Sequence, residues 1–111
     1  MKQVHPKEKD VQKQILEWLE LKKYVCHRNN TGTAFSEYKG KRYMVKYGAV
    51  GSADIICILP PNGRYCGLEV KGWGKHLSEH QQSFKANIER VGGIYEEVHS
   101  IEEVENLLKN F

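Results

Sequence analysis

Apolar residues recur along this chain with two different periods, and the places where the period changes mark its elements. Val11, Ile15, Trp18 and Leu19 share one face of a 3.6-residue repeat, which predicts a helix from about Lys7 to Lys23 with Pro6 at its start. Tyr24 to Arg28 reads as a strand, and the turn-forming stretch HRNNTG (His27 to Gly32) ends it. Tyr38, Lys39, Gly40 and Lys41 resemble the turn of a hairpin, after which Tyr43, Val45 and Tyr47 alternate with Arg42, Met44 and Lys46. Ile55 to Leu59 is a continuous apolar run. Pro60, Pro61, Asn62 and Gly63 break it, and Arg64 to Lys71 resumes an extended pattern, so two adjacent strands are expected. Helical spacing returns through Leu77, Gln81, Phe84, Ile88 and Val91, and Gly92 and Gly93 stop it. Ile94 to His99 is a further strand, and Ser100 with Glu103 opens a short last helix carrying Ile101, Val104, Leu107 and Leu108. The expected order is αβ(ββ)ββαβα, an α/β fold.

Composition narrows this picture only slightly. At 111 residues and 40% hydrophobic content the chain is expected to form one domain over residues 1–111, with room for one core. Seventeen Lys and Arg against 14 Asp and Glu leave a net charge of +3, which permits a polyanionic partner without requiring one. Cys26, Cys57 and Cys66 show no CxxC spacing for zinc or redox chemistry and sit in strand-like apolar surroundings, where reduced core thiols are expected. No apolar signal core and no membrane-length apolar run is present, and an intracellular, cytoplasmic protein without membrane association is expected. The segment GAVGSAD places small residues before the apolar strand, where backbones or a ligand can approach closely. It matches neither GxxxxGK[ST] nor GxGxxG, so P-loop chemistry is not expected.

The chemistry concentrates in ADIICILPPNGRYCGLEVKGWG, residues 53 to 74. Asp54 heads one strand. Glu69 and Lys71 are two apart on the next and therefore point to one face, with Leu68 and Val70 pointing to the other. On a helical wheel Glu8 falls in line with Val11, Ile15 and Leu19, inside the apolar face, whereas Glu17 and Glu20 fall opposite; Glu8 also suits the positive end of a helix, and either role accounts for it. Ser78 with Gln81 fits a capping box, a structural job that explains Gln81 without any catalytic role. Carboxylates that converge repel one another and are costly to bury, so a shared site for Glu8, Asp54 and Glu69 implies a compensating cation. Oxygen ligands of this kind suit Mg²⁺ or Mn²⁺. An acid and a lysine two apart on a strand are a weak signal alone; together with the preceding aspartate, the intervening turn and the helical acid they are far more specific.

At these residues the chain resembles the PD-(D/E)XK nucleases, and within them the compact VRR-NUC domain. The resemblance runs through KEKDVQKQILEWL, RNNTG, GAVGSADIICI, GRYCGLEVKG, LSEHQQSF and VGGIYEEVHSIEEV, nearly the whole length. It implies a restriction-endonuclease-like core, a mixed central sheet flanked by helices, and a metal-dependent DNA endonuclease that hydrolyses phosphodiester bonds. Carried over by position, the implied metal ligands are Glu8, Asp54, Glu69 and the backbone carbonyl of Val70, with Lys71 as catalytic lysine and Gln81 near the active site. The proline that the superfamily carries before its aspartate is replaced here by Ala53.

The implied reaction is in-line attack by a metal-activated water, with Lys71 orienting or deprotonating that water or neutralising charge on the phosphate; the count of metal ions is open. Arg28, Asn30, Lys41, Arg42, Lys46 and Lys75 are the expected DNA contacts. Tyrosines interleaved with basic residues in the hairpin suit base stacking, but they fit equally a solvated hairpin with one packed aromatic side. Small members of the family look like Holliday-junction resolvases, so a homodimer on branched DNA is expected, with the segment from Phe35 to Tyr47 or the C-terminal Leu107, Leu108 and Phe111 as its interface. The competing class is a nucleic-acid-binding module with vestigial catalysis, or a monomeric flap or nicking nuclease.

Overall fold

The structure is a computed structural model that describes residues 4–29, 32–47 and 49–111, with the side chains of residues 32–34 and 45–47 left aside. Its elements follow the expected order: α1 (Glu8–Leu21), β1 (Val25–Arg28), β2 (Gly32–Tyr38), β3 (Lys41–Tyr47), β4 (Ile55–Leu59), β5 (Arg64–Val70), α2 (Glu79–Arg90), β6 (Ile94–Val98) and α3 (Ile101–Leu108). Four strands form a mixed sheet in the order β1-β4-β5-β6, antiparallel except for the β5–β6 pair, and β2 with β3 forms a separate hairpin. The parallel pair requires a crossover, and α2 supplies it.

The period-2 pattern of β5 separates the two faces of the sheet. Cys66, Leu68 and Val70 join Val11, Ile15 and Leu19 of α1 and Val104 and Leu108 of α3 in one core. Gly67 and Glu69 lie on the other face, toward α2. Ile15 and Leu19 are completely buried, and truncating Ile15 to alanine would cost about 2–5 kcal/mol through the cavity left behind. In contrast, α2 has no fully buried residue; its half-buried Phe84 packs on Tyr95, and polar contacts add to its placement. Its capping box is formed in full: Gln81 N–H donates to Ser78 Oγ, and Ser78 N–H donates to Gln81 Oε1.

The three cysteines make a row across neighbouring strands, Cys26 opposite Cys57 and Cys57 opposite Cys66. All are free thiols, Cys57 and Cys66 fully buried and Cys26 partly so. Burial pushes the Cys57 and Cys66 thiols up, that of Cys66 to about 12, which keeps them protonated and unreactive.

Close approaches of backbone explain the small residues before β4. Gly51 has φ +85°, and a side chain there would meet the His80 carbonyl of α2 at 2.5 Å. Gly67 and Ala53 make a second such contact, since a Cβ on Gly67 would lie 2.9 Å from that of Ala53. Ala53 is therefore a buried packing position, in keeping with a structural role for the residue before Asp54.

The hairpin turn at Lys39 and Gly40, both at positive φ, forms as the sequence suggests. Phe35 and Met44 on one face and Tyr38 and Tyr43 on the other are all exposed, Phe35 at 61%, and among the described residues the two strands contact chiefly each other. The Arg42 guanidinium stacks over the Phe35 ring at 4.1 Å. Leu107 and Leu108, by contrast, pack into or against the chain's own core, which leaves Phe111 as the exposed apolar residue at that end.

Candidate active site

The site is built by register. Ile55 of β4 pairs with Leu68 of β5, so the next step places Asp54 beside Glu69 on the face opposite the core. Asp54 Oδ2 accepts the Val70 N–H at 2.9 Å, which ties the start of β4 to the end of β5. The loop leading into Asp54 is clamped from β1. Asn29 Nδ2 donates to Ser52 Oγ and to the Ala53 carbonyl, at 2.8 and 2.9 Å, and Asn29 N–H donates to the Asp54 carbonyl at 2.7 Å. Sequence reading places Asn29 only in a turn; its positioning role depends on the pairing of β1 with β4, which brings it to a residue 24 positions away, and has no local signature.

Glu69 is the centre of the arrangement. It is 5% exposed, the one buried charged residue among the described residues. Its Oε1 accepts from Gln81 Nε2 at 2.9 Å and lies 4.0 Å from Lys71 Nζ. Its Oε2 is buried and has no hydrogen-bond partner. A buried carboxylate oxygen without a partner is costly, and it is an oxygen ligand waiting for a cation. Burial, then the charge of Asp54, push the Glu69 carboxyl up to about 8 against the opposing pull of Lys71. Asp54 is also raised, chiefly by burial, although the Val70 N–H works the other way.

Glu8 corrects one expectation. Val11, Ile15 and Leu19 are buried as the wheel requires, but Glu8 on the same face is exposed. The reason is longitudinal: the first turn of α1 overhangs the end of the sheet, so the face that is core further along looks over the strand ends here. From that position Glu8 Oε2 accepts the Gly72 N–H at 3.0 Å, and its charge raises Asp54. Gln81 reconciles its two competing roles by serving both. Its Oε1 completes the capping box while its Nε2 binds Glu69. Tyr95 lies behind the acids and donates its hydroxyl to the Gly51 carbonyl at 2.8 Å; burial, then the charges of Glu69 and Asp54, keep that hydroxyl protonated.

Glu8, Asp54, Glu69, Lys71 and Gln81 are thus brought to one end of the sheet, together with the β5 terminus at Val70. The paired carboxylates of Asp54 and Glu69, one oxygen orphaned, fit a hard divalent cation; the ligand atoms of Glu8, Asp54 and Glu69 do not all lie within 4.8 Å of one another, so Glu8, held by the Gly72 N–H, stands beside that pair. The basic positions are more dispersed. Arg28 is exposed at the end of β1 and donates to Gln12 Oε1 at 3.3 Å, on one wall of a cleft of about 320 Å³ that Lys9 and Lys13 also line. Lys41 and Arg42 are exposed on the hairpin, and Lys75 is exposed in the loop after Lys71. Asn30 and the Lys46 side chain lie outside the described residues. A second cleft of about 490 Å³ at the opposite end of the sheet, beside Lys22, Lys23 and Ile58, has no carboxylate in its lining.

Among the described residues no helix is long and apolar enough to cross a membrane. No curated protein matches the chain, and no solved structure does. The family model of the VRR-NUC domain matches residues 6–102, most of the chain and every element of the site. The acids on adjoining strands, the lysine beside them and the mixed sheet that aligns them therefore belong to a chain of the VRR-NUC domain family, within the PD-(D/E)XK nuclease-like group.

Proposed function

We propose that the protein is a metal-dependent DNA endonuclease that hydrolyses phosphodiester bonds, acting on branched DNA as a homodimer. The observation that carries the catalytic part is the buried Glu69 carboxylate, with one oxygen on Gln81 and the other without any partner, next to Asp54. Glu69, Asp54, Glu8 and the Val70 carbonyl would hold the ion. When bound, Mg²⁺ or Mn²⁺ offsets the clustered carboxylate charge, polarises a phosphoryl oxygen and acidifies water.

The chain's own groups do the rest. Gln81 holds Glu69 Oε1 by a donated hydrogen bond, leaving Oε2 free to serve as a ligand. Asp54 is fixed by the Val70 N–H and by the Asn29 clamp on its loop, so its carboxylate needs little reorganisation when a cation arrives. Lys71, only partly exposed and 4.0 Å from Glu69, stands where it would meet either the attacking water or the charge developing on the phosphate.

Grip on DNA is assigned to exposed groups around this centre. Trp73, 72% exposed, stacks on His5 with centroids 4.3 Å apart in the same loop region as Lys75, and offers a face for an unpaired base. Lys9 and Lys13 of α1 and Arg28 of β1 line a cleft together with Asp10, and their excess positive charge suits a phosphate backbone. The strands of the hairpin, with Phe35, Tyr43 and Met44 open to solvent, are the surface we assign to the second copy of the chain, because the competing C-terminal leucines are occupied in the core, and Lys41 and Arg42 next to its turn are left to meet DNA. Pairing through this hairpin would double the catalytic centres and set their spacing.

Cleavage in Mg²⁺ or Mn²⁺ of linear, flapped and four-way DNA, combined with light scattering at the working concentration, tests the reading. Paired incisions on the four-way substrate by a dimer are expected. A monomer that nicks one strand without preference for junctions would retain the nuclease and remove the junction-specific part, and metal-independent or absent cleavage of all three substrates would overturn the catalytic part.

A further inference from the structure

A second constellation lies one strand away from the acidic centre. Glu97 of β6 is the register partner of Glu69, and His99 follows two residues later on the same side. The loop that leaves Lys71 carries His76 back to them. His76 Nδ1 lies 2.9 Å from Glu97 Oε2, and His99 Nε2 lies 3.1 Å from the same oxygen. One ligand atom from each of the three residues falls within 4.8 Å of the other two.

What surrounds these three groups has the form of a support for metal ligands. His99 Nδ1 faces Glu103 Oε2 at 3.1 Å, the carboxylate–imidazole arrangement that orients a ligating histidine and makes its other nitrogen more basic. Glu97 Oε1 is held by the Leu77 N–H at 2.9 Å, which leaves Oε2 as its free ligand atom. His99 Nε2 also has the Lys75 carbonyl at 3.1 Å, so oxygen atoms face both nitrogens of the ring and fix its orientation. With a cation on Nε2, the Nδ1 proton would be donated to Glu103. The His76 side chain is 74% exposed, so a fourth coordination position would open to water.

We propose that His76, Glu97 and His99 form a transition-metal site of the Zn²⁺ class, with Glu103 as its positioning residue, separate from the hard-cation centre at Asp54 and Glu69. Two imidazoles and one carboxylate suit Zn²⁺ or Co²⁺, whereas the all-oxygen centre suits Mg²⁺. Its ligands come from the loop and from β6, so an occupied site would staple the stretch between Lys71 and α2 to the sheet. That stretch carries Trp73 and Lys75 and delivers Gln81, and the described residues give it few apolar anchors.

Zn²⁺ titration by calorimetry, with Co²⁺ absorption as a readout of coordination, tests it in two settings that silence the acidic centre: the native protein in excess Mg²⁺, and the Asp54→Asn/Glu69→Gln double variant. One ion per chain is expected in both, with a raised Tm. His76→Ala, at an exposed position that tolerates truncation, and His99→Ala should each abolish stoichiometric binding. Glu103→Gln should retain it with affinity lowered on the order of 10–100-fold. Absence of stoichiometric Zn²⁺ binding in the native protein, or binding undiminished in both histidine variants, would overturn the proposal.

Discussion

The sheet end at Asp54 and Glu69 and the hairpin of β2 and β3 are equally rich in polar chemistry and differ in how firmly it is held. At the sheet end each acid has a fixed partner: Val70 for Asp54, Gln81 for Glu69, Gly72 for Glu8. The hairpin has aromatic and basic groups in quantity, but its described side chains are exposed and its strands contact mainly each other. Reactive groups have to be held to fractions of an ångström, because misplacement costs rate directly, whereas a surface for polyanion or partner contact can complete its order on binding. The difference predicts all-or-none effects at one end of the molecule and graded ones at the other.

The largest effect is expected from Asp54→Ala, which should reduce cleavage in Mg²⁺ or Mn²⁺ to background while near-UV circular dichroism remains native. Cleavage at an undiminished rate would remove Asp54 from the site. Next comes Lys71→Ala, with a loss of roughly 10²–10⁴-fold in kcat and little change in the DNA concentration for half-maximal rate, since its assigned work is on the reacting groups. A variant in which only that concentration rises would make Lys71 a docking residue.

Gln81 allows the two sides of its role to be separated. Gln81→Ala removes both the cap and the hydrogen bond to Glu69, for about 1 kcal/mol of stability and on the order of 10–100-fold in activity. Gln81→Glu keeps a capping box but replaces the donated amide with a second carboxyl, so its stability should fall below that of the native protein most steeply as pH rises through about 8, where Glu69 ionises, and recover on addition of Mg²⁺. Equal Tm and activity in Gln81→Glu and the native protein would leave the Glu69 contact without function.

The smallest effects belong to the hairpin. Lys41→Ala or Arg42→Ala should weaken DNA binding modestly and flatten the dependence of log Kd on log salt by about 1 for each phosphate that is no longer neutralised, with turnover at saturating DNA unchanged. A change in kcat from either would place the hairpin closer to the chemistry than we assign it.

How much of this was legible in the sequence follows from the range of the interactions. Asp54, Glu69 and Lys71 could be read together because a short turn joins their strands and a period of two sets the faces. The hairpin turn was legible from Lys39 and Gly40 for the same local reason. Glu8 was legible in azimuth but not in depth, since a helical wheel carries no information on where the sheet ends. Gln81 offered two alternatives that only the position of α2 against β5 could reconcile. The row of Cys26, Cys57 and Cys66, the clamp by Asn29 and the cluster of His76, Glu97 and His99 depend on strand register between distant segments, and nothing in their local spacing announces them.

The same acids set the pH behaviour of the metal-free fold. Glu69 takes up its proton more readily folded than unfolded, where about 4.5 is its ordinary value. Its contribution to stability is therefore fully present below that value and is lost as pH rises through about 8. Urea unfolding across this window in the presence of EDTA should show that decline in the native protein and a flatter profile in Glu69→Gln.

Thermal unfolding of the native protein and of Glu69→Gln, each with and without Mg²⁺ near neutral pH, bears most directly on the claim that the paired acids form a hard-cation centre. If they do, Mg²⁺ raises the Tm of the native protein, by about 2.7 kcal/mol of stability at 100 times its Kd. Metal-free Glu69→Gln is then expected to melt at or above the metal-free native protein and to gain nothing from Mg²⁺. A native Tm indifferent to Mg²⁺, or an equal gain in both proteins, would contradict the claim.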